Sequence, residues 1–106
     1  MPKYLIEAHY TPEGAKGVAK DGGTGRRAAV AKAAEAAGGK LESLYFAFGG
    51  VDVFAVIELP DNVTAAAMAL TVGQSGAVTT KTIVLLTPEE MDKAAKKTIA
   101  YRAPGH

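Results

Sequence analysis

The chain has 106 residues, of which 48% are hydrophobic and 22% charged, as in a single soluble domain with an apolar core. Twelve basic and eleven acidic side chains give a formal net charge of +1, which argues against a nucleic-acid partner because such proteins carry a basic stripe. The absence of cysteine excludes disulfides and thiolate chemistry, and two histidines are too few for an all-histidine metal site, so no metal and no cofactor are expected.

The first ten residues, MPKYLIEAHY, do not predict a secretory signal peptide, because no basic segment precedes an apolar stretch. No apolar run approaches the roughly 20 residues that span a bilayer. We therefore expect a cytoplasmic protein with no membrane partner.

The first part of the chain predicts a strand, a short helical turn and an alanine-rich helix. KYLIEAHY, residues 3–10, alternates with period two and is rich in aromatic and branched side chains, as strands are. Thr11 is the expected N-cap of the helical turn, with Pro12 as its first residue. The glycine stretch KDGGTGRRAA, which begins at Lys20, then separates this turn from a helix that Gly38-Gly39 ends.

The second part predicts a hairpin, a helix, a strand and a last helix. KLESLYFAFGG and VDVFAVIELP are two strands joined through Gly49-Gly50. Asp61 or Asn62 caps the helix VTAAAMALTVGQSG, and AVTTKTIVLL follows as the fourth strand. The last helix, TPEEMDKAAKK, takes Thr87 as its N-cap and Pro88 as its first residue.

This order of elements predicts an α+β domain with a ferredoxin-like βαββαβ arrangement and an additional C-terminal helix. Its four-stranded antiparallel sheet would carry helices on one face and leave the other face open. We assign residues 1–97 to this domain and residues 98–106 to a C-terminal arm.

Strand alternation predicts which side chains lie on the open face, and they are a mixture of apolar and charged residues. So large a mixed surface needs a partner, and the simplest partner is a second copy, in a homodimer or a higher homo-oligomer. Two facing sheets would then form a barrel with a cleft between them. The predicted open set is Leu5, Glu7, His9, Glu42, Leu44, Phe46, Phe48, Asp52, Phe54, Val56, Glu58, Thr79, Lys81, Ile83 and Leu85. The predicted helix-facing set is Ile6, Ala8, Val53, Ala55, Ile57, Thr82 and Val84.

Three stretches that cover most of the chain resemble one known family. YLIEAHYTPEG, GRRAAVAKAAEAAGGKLESLYFAFGGVDVFAVIELPDNVTAAAMAL and SGAVTTKTIVLLTPEEMDKA together resemble the GYD domain family, over residues 4 to 95. The triplet that names the family corresponds to Gly50-Val51-Asp52, with valine in place of tyrosine. The resemblance implies a dimeric α/β barrel, an architecture shared with small ligand-sensing domains and cofactor-free monooxygenases, and it implies no particular activity.

The glycine stretch before the alanine-rich helix is a candidate anion site, formed by Thr24, Gly25, Arg26 and Arg27. Free N–H groups at a helix start, together with arginines, bind anions well. The stretch matches neither the Walker A motif nor the dinucleotide fingerprint. We therefore favour a simple helix entrance, with Thr24 as cap and the arginines in solvent, over a phosphate site.

The candidate catalytic residues are His9, Asp52 and Glu7 on the open face. The two central strands are expected to bring Glu7 or His9 close to Asp52 or Glu58, and a histidine beside a carboxylate can transfer protons near neutral pH. The same groups are a weak candidate for a divalent metal site. The predicted ligand-binding residues are His9, Asp52, Phe54, Lys81 and Tyr45, with Tyr45 in a cavity between the sheet and the helices.

Three functions fit these features. The first is a homo-oligomeric protein that binds a small organic ligand in the barrel cleft. The second is a cofactor-independent oxygenase or isomerase, in which His9 works with Asp52 or Glu7. The third is a structural module whose open face serves only to assemble subunits.

Overall fold

The computed structural model describes all 106 residues and contains four strands and three helices. In chain order they are β1 (Lys3–Tyr10), α1 (Pro12–Ala36), β2 (Lys40–Phe46), β3 (Val53–Glu58), α2 (Asn62–Gln74), β4 (Val78–Leu85) and α3 (Pro88–Ala95). The predicted α+β class is confirmed, and the order of the elements is ferredoxin-like. None of the helices combines the length and the apolar character that a bilayer crossing requires.

The four strands form one antiparallel sheet in the order β2-β3-β1-β4. β1 and β3 lie side by side in the centre, as the sequence predicted. β2 and β3 form the predicted hairpin, whose connection contains Gly49 at a φ of 106°. Glycine suits this position because it adopts positive φ without a steric penalty.

Short polar side chains fix where the helices begin. Thr11, Asp61 and Thr87 each accept a backbone N–H three residues further on, at 3.2, 2.8 and 3.1 Å. Glu90 also accepts the N–H of Thr87, which completes a capping box at the start of α3. The predicted caps of the first and last helices are confirmed, and of the two candidates for α2 the cap is Asp61.

α1 is longer than predicted because the glycine stretch continues the helix instead of forming a loop. The helical path breaks only at Gly22, where φ is 76° and ψ is 167°, and this divides α1 into residues 12–21 and 23–36. Thr24 lies inside the second segment, so its predicted role as N-cap is wrong. The break falls at Gly22 because a positive φ is costly for any residue with a Cβ.

The apolar core lies between the sheet and the first two helices. Its most buried large side chains are Tyr4 and Leu59, and the Tyr4 hydroxyl donates a hydrogen bond to Asn62 Oδ1 at 2.6 Å. The buried phenol is therefore paired, as such groups usually are. The core cluster consists of Tyr4, Ala34, Ala55, Ile57, Leu59 and Ala65.

A β-bulge in β2 reverses the predicted side of two residues. The pairing with β3 shifts between Leu41 and Ser43, so β2 holds one extra residue there. Beyond the bulge Leu44 and Phe46 pair with buried residues of β3 and lie on the helix side. Their predicted placement on the open face is wrong, because strict alternation does not continue through a bulge. Phe48, also predicted on that face, lies in the β2–β3 connection.

α3 and the residues after it extend away from the rest of the domain. No residue of α3 is buried, and residues 98–106 are exposed and form neither helix nor strand. The radius of gyration is 16.8 Å, whereas a compact domain of about this length has a value of about 13 Å. The division between a domain and an arm stays a prediction.

Candidate functional site

The open face of the sheet is the side opposite α1 and α2. The strand registers place on it Lys3, Leu5, Glu7, His9, Ser43, Tyr45, Phe54, Val56, Glu58, Thr79, Lys81, Ile83 and Leu85. The residues predicted from β1, β3 and β4 are therefore on the expected side. Tyr45 and Phe54 are the most prominent apolar members, with exposed fractions of 71% and 38%.

His9 and Asp52 meet at one end of the open face. Asp52 comes directly before β3, and its backbone N–H donates to the Ala8 carbonyl at 2.9 Å. Its Oδ2 accepts the Tyr10 N–H at 2.8 Å and lies 3.1 Å from His9 Nδ1. Because the backbone of Asp52 is bonded to Ala8 and its carboxylate to the Tyr10 N–H, Asp52 provides a fixed partner that can orient the imidazole. The geometry thus provides the expected histidine–carboxylate pair.

Glu7, the third candidate, is not part of this pair. It lies opposite Lys81 on β4, and neither residue forms an ion pair. No group of three or more histidine, aspartate or glutamate side chains has the arrangement of a metal site. Of the three catalytic candidates, His9 and Asp52 are the two that the structure brings together.

Tyr45 does not lie where the sequence predicted it. It was expected in a cavity between the sheet and the helices, but it pairs with Phe54 on the open face. The extra residue in the β2 bulge is the cause, because it changes the side on which every later residue of the strand lies. Tyr45 and Phe54 form a cross-strand aromatic pair, which packs favourably in an antiparallel sheet.

An ionic cluster at the opposite end of the open face was not predicted. Lys3 Nζ donates a hydrogen bond to Glu42 and lies 3.8 Å from Glu58 Oε1. The hydrogen bond to Glu42, with the charges of both carboxylates, raises the pKa of Lys3. Finding this cluster from the sequence would have required the β2 register, because Glu42 lies in the bulge.

A groove lies on the other side of the sheet, between α1 and α2. α1 packs mainly over β2 and α2 over β4, and a recess remains between them whose floor includes the buried residues Ala55 and Ile57. The groove has a volume of about 150 Å³, and 15 of its 18 lining residues are hydrophobic. An apolar cavity of about this size can take up benzene. The groove therefore suits a small apolar molecule.

Small side chains contribute to both the walls and the floor of the groove. Ala29 and Ala33 line it from α1, Ala69 from α2, and Ala8 and Ala55 from the central strands. Alanines that face each other across a helix–sheet interface leave unfilled volume, because their side chains are too short to meet. Alanine spacing in the two helices was the signal that sequence reasoning used only to predict helices.

The four residues of the candidate anion site point to different places. Arg26 lines the groove, whereas Thr24 and Arg27 line a larger and more open recess of about 510 Å³ beside β2. The Arg26 side chain is 31% exposed, and its Nη1 lies 3.9 Å from Asp21 Oδ2. Gly25 lies against Asp21 as well. The structure thus separates the two arginines that the sequence grouped.

A comparison with protein families gives one match, in which the GYD domain profile covers residues 4–95. This chain belongs to the GYD domain family. Neither the curated proteins nor the solved structures that were compared gave a match. In this GYD domain, Asp52, the residue that holds His9, is the last residue of the triplet Gly50-Val51-Asp52.

Proposed function

We propose that this GYD domain binds a small organic molecule and self-associates through the open face of its sheet. The observation that carries the proposal is the groove between α1 and α2, a mostly apolar recess of about 150 Å³ within a single chain. Ligand sites are usually concave and apolar with a few polar groups, and this groove has that character. It is small for such a site, so the ligand is comparable in size to a single aromatic ring.

Self-association is supported by the composition of the open face. Tyr45 on the edge strand β2 and Phe54 on the central strand β3 are exposed there, on a surface that also carries Leu5, Val56 and Ile83. Charges of both signs surround these apolar groups, so a copy related by a two-fold axis can place opposite charges against each other. Two facing sheets would produce the dimeric α/β barrel.

A matched pair of variants tests the interface. We expect Tyr45→Ser to raise the dimer dissociation constant about tenfold or more, because buried aromatic residues carry much of an interface's binding energy. Leu70→Ser is the control, since Leu70 is 67% exposed but lies on α2, away from the open face. Analytical ultracentrifugation measures both. A wild-type protein that is monomeric at all concentrations, or equal effects of the two variants, would refute the open-face dimer.

A second matched pair tests binding in the groove. We expect toluene to bind the wild-type protein and the Ala66→Leu variant alike, because Ala66 is exposed and does not line the groove. Ala69→Leu should abolish this binding by filling the groove. Isothermal titration calorimetry with toluene is the measurement. Absence of toluene binding to the wild-type protein would refute uptake of an uncharged apolar molecule by the groove.

A second location for a ligand is the cleft of the dimeric barrel. The predicted ligand residues His9, Asp52, Phe54 and Lys81 are at the open face, so a face-to-face dimer would place them between the two sheets. We favour the groove because a single chain forms it completely. NMR signals of methyl groups distinguish the two locations, because a ligand in the groove shifts those on the helix side of the sheet and a ligand in the cleft shifts those on the open face.

A second candidate function, an enzyme that transfers protons without a cofactor, is favoured by the 3.1 Å distance between His9 Nδ1 and Asp52 Oδ2. An imidazole oriented by a carboxylate can act as a general base. We expect the wild-type protein, but not His9→Ala, to exchange the acidic C–H protons of phenylacetone for deuterium in D₂O. Equal exchange with the two proteins would refute this function.

A further inference from the structure

Three of the four polar side chains that line the groove gather at one of its ends. Tyr10 is the last residue of β1, and Thr80 lies near the start of β4, which pairs with that end of β1. Arg26 enters from α1, one turn after Gly23, which lies against the Phe46 ring at the end of β2. Because the strands are antiparallel, the last residues of β1 and β2 and the first residues of β4 lie at the same end of the sheet. Arg26, Tyr10 and Thr80 therefore line the same end of the groove.

The remainder of the groove is apolar except for Thr82, which pairs with Ile6 in the middle of the sheet. From this polar end its floor runs through Ala8 and Ala55 towards Ile57, and its far wall includes Ala65 and Met68. A molecule that fills the groove would therefore meet a charged group at one end only.

Arg26 is the only charged residue that lines the groove. Its closest carboxylate, Asp21, is 3.9 Å away, which is too far for a hydrogen bond. The guanidinium N–H groups therefore have no hydrogen-bond acceptor in the protein. A guanidinium that is partly shielded from water favours a carboxylate, which it can bind through two parallel hydrogen bonds. The Tyr10 and Thr80 hydroxyls also have no hydrogen-bond partner in the chain, unlike those of Tyr4, Thr11 and Thr79.

We propose that the ligand of the groove is a small apolar monoanion, such as an aryl or short alkyl carboxylate. The ligand carboxylate lies at Arg26, near the Tyr10 and Thr80 hydroxyls, and the apolar body of the ligand extends over Ala8 and Ala55. This inference rests on the proposed function, because the groove must first admit a molecule. It goes further by assigning Arg26 as the residue that selects charge.

A pair of probes with the same shape and different charge tests the assignment. Phenylacetate and phenylacetamide are titrated separately into the wild-type protein, with binding followed by calorimetry. We expect phenylacetate to bind about tenfold more tightly, because hydrogen bonds between charged partners are stronger than those between neutral ones. Arg26→Gln should reduce this preference to about twofold or less, and Arg27→Gln should preserve it, because Arg27 faces away from the groove.

The possible results separate the ligand class from the proposed function. If both probes and toluene bind the wild-type protein equally, the groove takes up ligands but the anion preference is refuted. If toluene binds and Arg26→Gln keeps the full preference for phenylacetate, the role of Arg26 is refuted. If none of the three compounds binds, the proposed function itself fails. A preference that Ala69→Leu leaves intact would place the anion site outside the groove and overturn the proposal.

Discussion

Gly14 and Gly17 lie three residues apart in the first segment of α1, and their replacement by alanine should have opposite effects. A Cβ at Gly14 would lie 1.9 Å from the carbonyl oxygen of Ala77, whereas a Cβ at Gly17 would meet nothing within 4 Å. The Ala77 carbonyl also accepts the Thr11 N–H at 3.0 Å. An added methyl group at Gly14 would therefore separate the start of α1 from the turn before β4.

The magnitudes follow from two opposing terms. Alanine favours a helix over glycine by about 1 kcal/mol, and this is the only term for Gly17→Ala, which should be stabilising by about 0.5–1 kcal/mol. At Gly14 the same gain is opposed by a backbone overlap of about 3 kcal/mol and by about 1 kcal/mol for the strained Thr11 hydrogen bond. Gly14→Ala should therefore lower the free energy of unfolding by about 3 kcal/mol.

Urea denaturation followed by circular dichroism measures both variants. It should be carried out at one protein concentration, because self-association would make the stability depend on concentration. The predicted result is a lower midpoint for Gly14→Ala and a higher one for Gly17→Ala. If Gly14→Ala is as stable as the wild-type protein, α1 does not pack against the turn that contains Ala77, and the position of the groove end lined by Tyr10 is wrong.

Three further predictions concern the cap of α2, the His9–Asp52 pair and the C-terminal arm. Hydrogen bonds from the Thr64 N–H and hydroxyl lower the pKa of Asp61 in the folded protein. The stability that the Asp61 carboxylate contributes is therefore present above the ordinary carboxyl pKa and is lost as the pH falls through the lower folded pKa. Asp61→Asn should make the melting temperature less sensitive to pH below about 4. Asp52→Ala should lower the free energy of unfolding, measured with urea, by about 1–2 kcal/mol, because the Tyr10 N–H loses its acceptor. Asp21→Ala is the control and should change the free energy of unfolding by less than about 0.5 kcal/mol. Deletion of residues 98–106 should change the free energy of unfolding by less than about 0.5 kcal/mol, and a larger loss of stability would show that the arm packs on the domain.

The elements that the sequence predicted well are those whose signals are local. β1 alternates over its whole length, and Thr11 and Thr87 stand directly before proline, so each element could be located from a few neighbouring residues. The strand order follows from chain connectivity, since two crossover helices and one hairpin allow few arrangements. The meeting of His9 and Asp52 follows in turn from the pairing of the two central strands.

The parts that the sequence did not predict depend on contacts between distant segments. The bulge at Glu42 and Ser43 leaves no mark in the alternation of β2, yet it moves Tyr45 to the open face and Leu44 to the helix side. The groove depends on how far α1 and α2 stand apart, which is a property of packing and not of either helix alone. The glycine stretch was predicted to separate two helical segments, but the helix breaks only at Gly22 and continues directly after it.

The most direct test of ligand uptake is a methyl-resolved NMR titration of the protein with toluene. Methyl groups report on one side of the sheet, because neighbouring residues of a strand point to opposite faces. The predicted result is a set of shifts at Ile6, Ala8 and Ala69, which line the groove, with the methyl groups of Leu5 and Ile83 on the open face unchanged. Shifts confined to Leu5 and Ile83, or no shifts at all, would contradict a ligand site in the groove.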